Sequence, residues 1–210
     1  MVDNRESTED VRKPQDVLNT WFRDSETGRM DLPQAKRWFM GGKDFDDILK
    51  IEYLTTLDAA ANGELDQWLE KSDTTLALII LLDQISRNVY RGTSHAFSND
   101  TRALSAANHA IAQNYAEQLP FTQRVFCYMP FMHDESMESQ DICVTLFEQL
   151  KRDAPEEHAE FSDRTLSSAI EHREIIMQFG RYPHRNAVLN RTDTAEETVW
   201  LETRKKSFGQ

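Results

Sequence analysis

The sequence predicts an all-α protein that forms one domain. Apolar residues recur at spacings of three and four along almost every segment, and no stretch has the alternation of a β-strand. Of the 210 residues, 39% are hydrophobic and 10% aromatic, which is enough for one sizeable core. We therefore expect a compact multi-helix array over residues 1–210, with about 1–13 and 204–210 frayed.

The helical segments follow from this periodicity and from residues typical of helix ends. Pro14 suits a first helical position, so the first helix is expected to run from Pro14 to about Arg23. A short helix with Pro33 near its start should carry Trp38 and Phe39. Longer helices are expected at Asp44–Asn62, Thr74 to about Tyr90, Asn99 to about Asn114, Thr122–Met129, Glu135–Arg152 and Glu156–Phe179.

Three signals limit the later helices. Pro130 has no N–H to donate, so it should break or kink the helix that begins at Thr122. Gly180 should end the helix before it, because glycine readily adopts the left-handed conformation found after helices. Thr194 and Glu197 have the spacing of a capping box, which predicts a last helix starting there.

The chain is acidic, with 24 Lys and Arg against 36 Asp and Glu and a net charge of −12. This charge argues against binding to nucleic acids or anionic membranes, which need a basic surface. The polar N-terminus lacks the apolar core of a secretory signal, and the longest apolar run, Leu76–Leu82, is far shorter than the roughly 20 residues that span a bilayer. We therefore expect a cytoplasmic protein.

The first polar cluster lies in the expected helix from Thr74. Asp83, Arg87 and Arg91 are four residues apart and should share one helix face, next to Gln84. Arg87 and Arg91 are candidates for binding a carboxylate or phosphate, since a guanidinium group donates two parallel hydrogen bonds. Asp83 would hold them in place. The alternative is a set of ordinary ion pairs on a solvated face.

The second polar cluster follows Pro130. His133 is a candidate general acid or base, with Glu135 orienting its imidazole and Gln140 in support. The alternative is a surface loop that caps the next helix.

The third polar cluster is the turn FGRYPHRN and the helix before it. His172 lies on the apolar face of that helix and should point inward. The turn is stiffened by a proline, so its polar side chains lose little conformational entropy on binding. Arg181, Arg185 and Asn186 are candidates for binding the anion, and His184 is a candidate second proton carrier or hydrogen-bond donor to the substrate. Two alternatives are that the arginines neutralise the helix C-terminus or pair with acids elsewhere.

Three long motifs carry a family resemblance: LALIILLDQISRNVYRGT, RVFCYMPFMHDESMESQ and HREIIMQFGRYPHRNAVLNR. Together with VLNTWF, RWF and AANGELDQW upstream, they resemble the family catalogued as domain of unknown function 924, from about Val17 to Leu201. The resemblance implies a compact helical fold of the tetratricopeptide-like class, and it implies no activity. The family usually has serine where this chain has Asp134, and glycine where it has Asn190.

These observations predict a helical protein with an Arg- and His-lined pocket that binds a small anionic metabolite and acts on it by acid–base chemistry. No organic cofactor or metal is expected. A second hypothesis is a helical scaffold that binds a protein or peptide, with structural polar clusters. A third is a metal-dependent enzyme that uses His133, Glu135 and another histidine. The sequence permits a homo-oligomer.

Overall fold

The computed structural model describes residues 11–22, 38 and 42–203. These residues form eight helices and no β-strand, which confirms the predicted all-α fold. The predicted short helix after Pro33 lies outside the described residues, except for the buried Trp38. The helices are α1 (Pro14–Phe22), α2 (Lys43–Ala61), α3 (Ser72–Ile79, Ile80–Ile85 and Ser86–Val89), α4 (Asp100–Ala112), α5 (Phe121–His133), α6 (Met137–Arg152), α7 (Ala159–Phe179) and α8 (Ala195–Thr203).

Helix α3 is the centre of the fold. It packs against α1, α2, α4 and α5, and the residues from Leu76 to Leu82 are almost completely buried. The segment Ile80–Ile85 is π-helical, so its hydrogen bonds span five residues instead of four. The sequence pattern predicts this buried position and does not predict the wider turn.

Helix α5 continues through Pro130 to His133, so the predicted break at Pro130 is wrong. Pro130 lies in the last turn, where its missing N–H removes one backbone hydrogen bond. The neighbouring Met129 and Phe131 are buried, and their packing offsets that loss. The extra turn places His133 at the end of a buried helix.

The last third of the chain wraps the end of α5. Helices α6 and α7 pack along each other, and Gly180 ends α7 in the left-handed conformation with φ +68°. A short turn at Pro183–Arg185 follows and contacts α8. Thr194 and Glu197 form the predicted capping box, with N–H to side-chain oxygen distances of 2.7 and 3.2 Å.

Replacing Gly180 with alanine should lower the free energy of unfolding by about 1 kcal/mol. A Cβ at Gly180 would meet no atom within 4 Å, so the cost comes from the backbone conformation alone. Urea unfolding measures the change. Gly42→Ala is the control, because Gly42 has φ −147° and a Cβ there also meets no atom. Equal effects of the two substitutions would contradict this explanation.

No helix in the described part of the chain is long and apolar enough to cross a membrane. Cys127 and Cys143 are both buried free thiols, and burial raises the pKa of Cys127 to about 12. Both thiols are therefore protonated at neutral pH and pack as small apolar side chains in the core.

Candidate functional site

The side chain of Asp83 is completely buried at the end of the apolar half of α3. Its Oδ1 accepts a hydrogen bond from His133 Nδ1 at 2.7 Å and lies 3.1 Å from Arg87 Nη1. Its Oδ2 accepts a hydrogen bond from Gln84 Nε2 at 2.5 Å. The first and second polar clusters of the sequence therefore meet at one carboxylate.

The buried carboxylate of Asp83 belongs to the π-helical segment Ile80–Ile85. The wider turn leaves backbone carbonyls that side chains then satisfy. Ser86 Oγ donates to the carbonyl of Leu82 at 2.6 Å, and Arg87 Nη1 donates to the carbonyl of Asp83 at 2.7 Å. Single π-helical turns within α-helices occur frequently at functional sites.

The environment keeps Asp83 charged and His133 neutral. Burial raises the pKa of Asp83, but Arg87 and His133 together lower it further, so the pKa lies well below its usual value. Burial lowers the pKa of His133, an effect that Asp83 only partly reverses. A neutral His133 that donates from Nδ1 to Asp83 carries a lone pair on Nε2. Nε2 forms no hydrogen bond with any described residue.

Asp100, in the first turn of α4, joins two arginines. Its Oδ1 lies 2.9 Å from Arg87 Nη1, and its Oδ2 accepts a hydrogen bond from Arg87 Nη2 at 3.0 Å. Oδ2 also lies 3.4 Å from Arg185 Nη1. We call Asp83, Arg87, Asp100, His133 and Arg185 the central cluster.

Arg185 leaves one of its donors without a partner among the described residues. Its side chain is 7% exposed, and its guanidinium group is stacked 4.6 Å from the ring centres of both Phe97 and Tyr182. Nη2 donates to the carbonyl of His133 at 2.9 Å, whereas the buried Nε has no partner among the described residues. Burial and the nearby charge of Arg87 lower the pKa of Arg185. A negative charge placed close to this donor would therefore favour the charged form of Arg185.

Two further histidines flank Tyr182. His172 donates from Nδ1 to the carbonyl of Ser168 at 2.7 Å, and its ring meets the Tyr182 ring edge-on at 5.5 Å. The ring of His184 lies 5.4 Å from Tyr182. Burial lowers the pKa of His172 to about 4 and that of His184 to about 3. Both are neutral at pH 7, next to the central cluster.

Glu135 does not orient His133 as the sequence suggested, because its carboxylate belongs to a separate ion pair. Its two oxygens bind Arg191 Nη1 and Nη2 at 2.6 and 3.0 Å, and the backbone N–H of Tyr182 donates to Oε1 at 2.9 Å. Arg191 Nε donates to Asn186 Oδ1 at 2.8 Å, so Asn186 also serves this pair. Asp83 holds His133 because the helix end at His133 faces α3.

Arg91 and Arg181 lie outside the central cluster, contrary to the sequence-based hypothesis. Helix α3 ends at Val89, and Arg91 Nε lies 2.8 Å from a carboxylate oxygen of Asp46. Arg181 is held by Glu197, with Nε and Nη2 at 2.6 and 2.7 Å from its two oxygens. Both arginines form ion pairs with acids elsewhere, as the alternative interpretations of the first and third polar clusters predict.

Gln140 supports His133 through the backbone of α5. Its fully buried amide Nε2 lies 2.7 to 3.1 Å from the carbonyl oxygens of Phe131, Met132 and Asp134 and from Tyr182 Oη. The two hydrogens of this amide group are shared among carbonyls that the end of a helix leaves free. Gln140 therefore fixes the last turn of α5, which carries His133.

A metal site built on His133 and Glu135 would need their side chains to converge, and Glu135 instead pairs with Arg191. In the described part of the chain, no group of three or more His, Cys, Asp or Glu side chains is arranged to hold a metal ion.

Sequence reasoning missed Phe97, Asp100 and Tyr182 as parts of the site. In the sequence, Asp100 is typical of an acid in the first turn of a helix, where it complements the helix dipole, so nothing marks it as part of a site. Phe97 and Tyr182 are ordinary aromatic residues by sequence. Their position near Arg185 depends on tertiary packing, which sequence spacing does not report.

The model of a bacterial family described as "Bacterial protein of unknown function (DUF924)" matches residues 17–205. The chain belongs to the DUF924 family. It is also similar to a solved structure, the protein of unknown function ATU0120 from Agrobacterium tumefaciens, with 34% identity and a TM-score of 0.77. That match covers 91% of this chain and 97% of ATU0120. No curated protein matches the sequence.

In this DUF924 member, replacing Glu135 with glutamine should lower the free energy of unfolding by about 2 kcal/mol. The substitution removes the charge that pairs with Arg191 in a partly buried site. Urea unfolding measures the loss. Glu160→Gln is the matched control, because Glu160 pairs with Arg164 on the open surface and should contribute less than about 0.5 kcal/mol. A loss no larger than that of the control would show that the Glu135 pair is not a structural anchor.

Proposed function

We propose that this protein binds a small anionic metabolite at Arg185 and acts on it by acid–base chemistry, with His133 as the proton carrier. The observation that supports this most is the hydrogen bond between His133 Nδ1 and Asp83. It leaves His133 Nε2 without a hydrogen bond to any described residue. Asp83 fixes the ring and stabilises the imidazolium that forms when Nε2 takes a proton. Arg185 supplies the anion-binding group beside it.

The distribution of charge also supports a reactive site. His133 is neutral and able to accept a proton, since its pKa is lowered. A histidine held next to a buried carboxylate is the arrangement used for general acid–base catalysis, in which the ring takes up a proton and then gives it to the substrate. Arg185 would bind the substrate carboxylate or phosphate, and Arg87 would hold Asp83 and Asp100 in position. The reaction class would then be a proton transfer or a hydrolysis without an organic cofactor.

The rival proposal is a helical scaffold in which the polar clusters are structural. It is supported by the ion pairs Arg91–Asp46, Arg181–Glu197 and Arg191–Glu135, each of which is internally paired. The two proposals differ at Arg185. A structural role needs Arg185 only for its contacts with Asp100 and the backbone, whereas the anion site also needs its Nε.

Thermal unfolding in the presence of small anions separates the two proposals. Wild-type protein is titrated with propionate, benzoate, phosphate and sulfate at constant ionic strength, and so is the variant Arg185→Lys. We expect at least one of these anions to raise the unfolding temperature of the wild type in a saturable manner and not that of the variant. Arg164→Lys, at an exposed arginine, is the matched control and should behave as the wild type. An equal response of all three proteins would overturn the anion site.

A screen of carboxylate- and phosphate-containing metabolites tests the chemistry. Any turnover found with the wild type should fall by at least about 100-fold in His133→Asn, because the proton carrier is removed. A cytoplasmic location stays a prediction.

A further inference from the structure

The central cluster is electrically balanced before any ligand binds. Its two guanidinium groups, on Arg87 and Arg185, face two carboxylates, on Asp83 and Asp100. The neutral histidines around it add no charge. An anion that enters this buried region therefore brings a negative charge that no existing group compensates, and uncompensated buried charge is costly.

The geometry of Arg185 limits what binds there. The ring centres of Phe97 and Tyr182 both lie 4.6 Å from the Arg185 guanidinium carbon, so approach from the edge of the guanidinium group is favoured over approach from its faces. Nε lies on this edge and has no hydrogen-bond partner among the described residues. A planar carboxylate matches the edge of a guanidinium group with two parallel hydrogen bonds. Nη1 and Nη2 of Arg87 are already engaged by Asp83 and Asp100, so they offer little to further ligand oxygens.

We infer that the ligand of this site is a monoanion of the simple carboxylate class, and that it enters together with one proton taken up by His133. The inference rests on the proposed anion site at Arg185 and deepens it. A carboxylate adds one negative charge, and protonation of His133 at Nε2 restores neutrality. A dianion such as sulfate leaves one negative charge in excess even after that protonation.

His133 is the group best placed to take the proton. Its Nδ1 already donates to Asp83, and a carboxylate next to the ring stabilises the imidazolium. The charged and titratable groups around it come from three helices and the turn after α7. They are Asp83 and Arg87 on α3, Asp100 on α4, His172 on α7, and His184 and Arg185 in the turn. The two arginines oppose protonation in the free protein, and a bound carboxylate offsets them.

Isothermal titration calorimetry tests the inference with propionate, benzoate and sulfate as probes. Each is titrated into the full-length protein at pH 6.5 in bis-Tris and in imidazole, two cationic buffers with different ionisation enthalpies. An ordinary carboxylate is ionised at this pH, so any proton taken up comes from the buffer. We expect a carboxylate to bind with uptake approaching one proton, and to bind about tenfold more weakly for each pH unit above 6.5. Sulfate should bind at least tenfold more weakly than the carboxylate.

Two variants complete the test. His133→Asn should bind the carboxylate without proton uptake, whereas His95→Asn, at an exposed histidine, should take up the proton as the wild type does. Carboxylate binding with the same enthalpy in both buffers, or sulfate binding as tight as carboxylate binding, overturns the inference and leaves the anion site standing. If none of the three probes binds the wild type, the proposed anion site itself fails.

Discussion

Asp83→Asn is expected to lower the free energy of unfolding by about 3 kcal/mol or more, the largest loss of any single polar substitution considered for this chain. Asp83 is completely buried and contacts both Arg87 and His133. Removing one charge from a buried network leaves the opposite charge without its counter-charge in a region that water does not reach. Chemical unfolding monitored by circular dichroism measures the change.

Asp46→Asn is the matched control for this prediction. Asp46 also pairs with an arginine that lies close to the end of α3, but Arg91 is 32% exposed and Asp46 15%. This pair is only partly buried, as the Glu135–Arg191 pair is, so we expect a loss of about 2 kcal/mol, smaller than that of Asp83→Asn. If Asp83→Asn costs no more than Asp46→Asn, the central cluster does not depend on its buried carboxylate.

The second large effect is a loss of stability in mild acid. Burial lowers the pKa of His172 to about 4 and that of His184 to about 3, against 6.5 in the unfolded chain. Between the folded and unfolded pKa values, the unfolded chain binds protons that the folded protein does not. The free energy of unfolding is therefore highest above pH 6.5 and falls as the pH decreases. Each histidine costs about 1.4 kcal/mol per pH unit, which gives about 4 kcal/mol for both at pH 5.

Urea unfolding at pH 7 and pH 5 measures this loss. The buried carboxylates have lowered pKa values and affect stability mainly below this range, so the histidines dominate it. His172→Gln and His184→Gln should each remove about 2 kcal/mol of the difference between the two pH values, and His133, whose pKa is also lowered, contributes to the remainder. A free energy of unfolding that is the same at pH 7 and pH 5 would contradict the neutral state of these rings.

The sequence was sufficient for the type and approximate position of most helices. The three-and-four spacing of apolar residues predicts α2, α6 and α7 closely, because local periodicity and end residues determine where a helix lies. The i,i+4 spacing also predicts the contact between Asp83 and Arg87. The end of α5 is the exception, since packing around Pro130 outweighs the lost hydrogen bond.

The partners of individual charges were less predictable. His133 is three residues from Pro130 and two from Glu135, yet it contacts Asp83, 50 residues earlier. Glu135 contacts Arg191, 56 residues later. Such pairs depend on how helices cross, and Asp83 also lies in a π-helical turn. Neither feature has a signature in the spacing of residues along the chain.

The most direct test of the central claim is a high-resolution crystal structure of protein purified gently enough to keep copurifying ligands. We expect non-protein density in the plane of the Arg185 guanidinium group, within hydrogen-bond distance of Nε and of His133 Nε2, with the shape of a carboxylate. A structure in which Arg185 Nε and His133 Nε2 both bond only to protein groups, with no density between them, would contradict the anion site and favour the structural network.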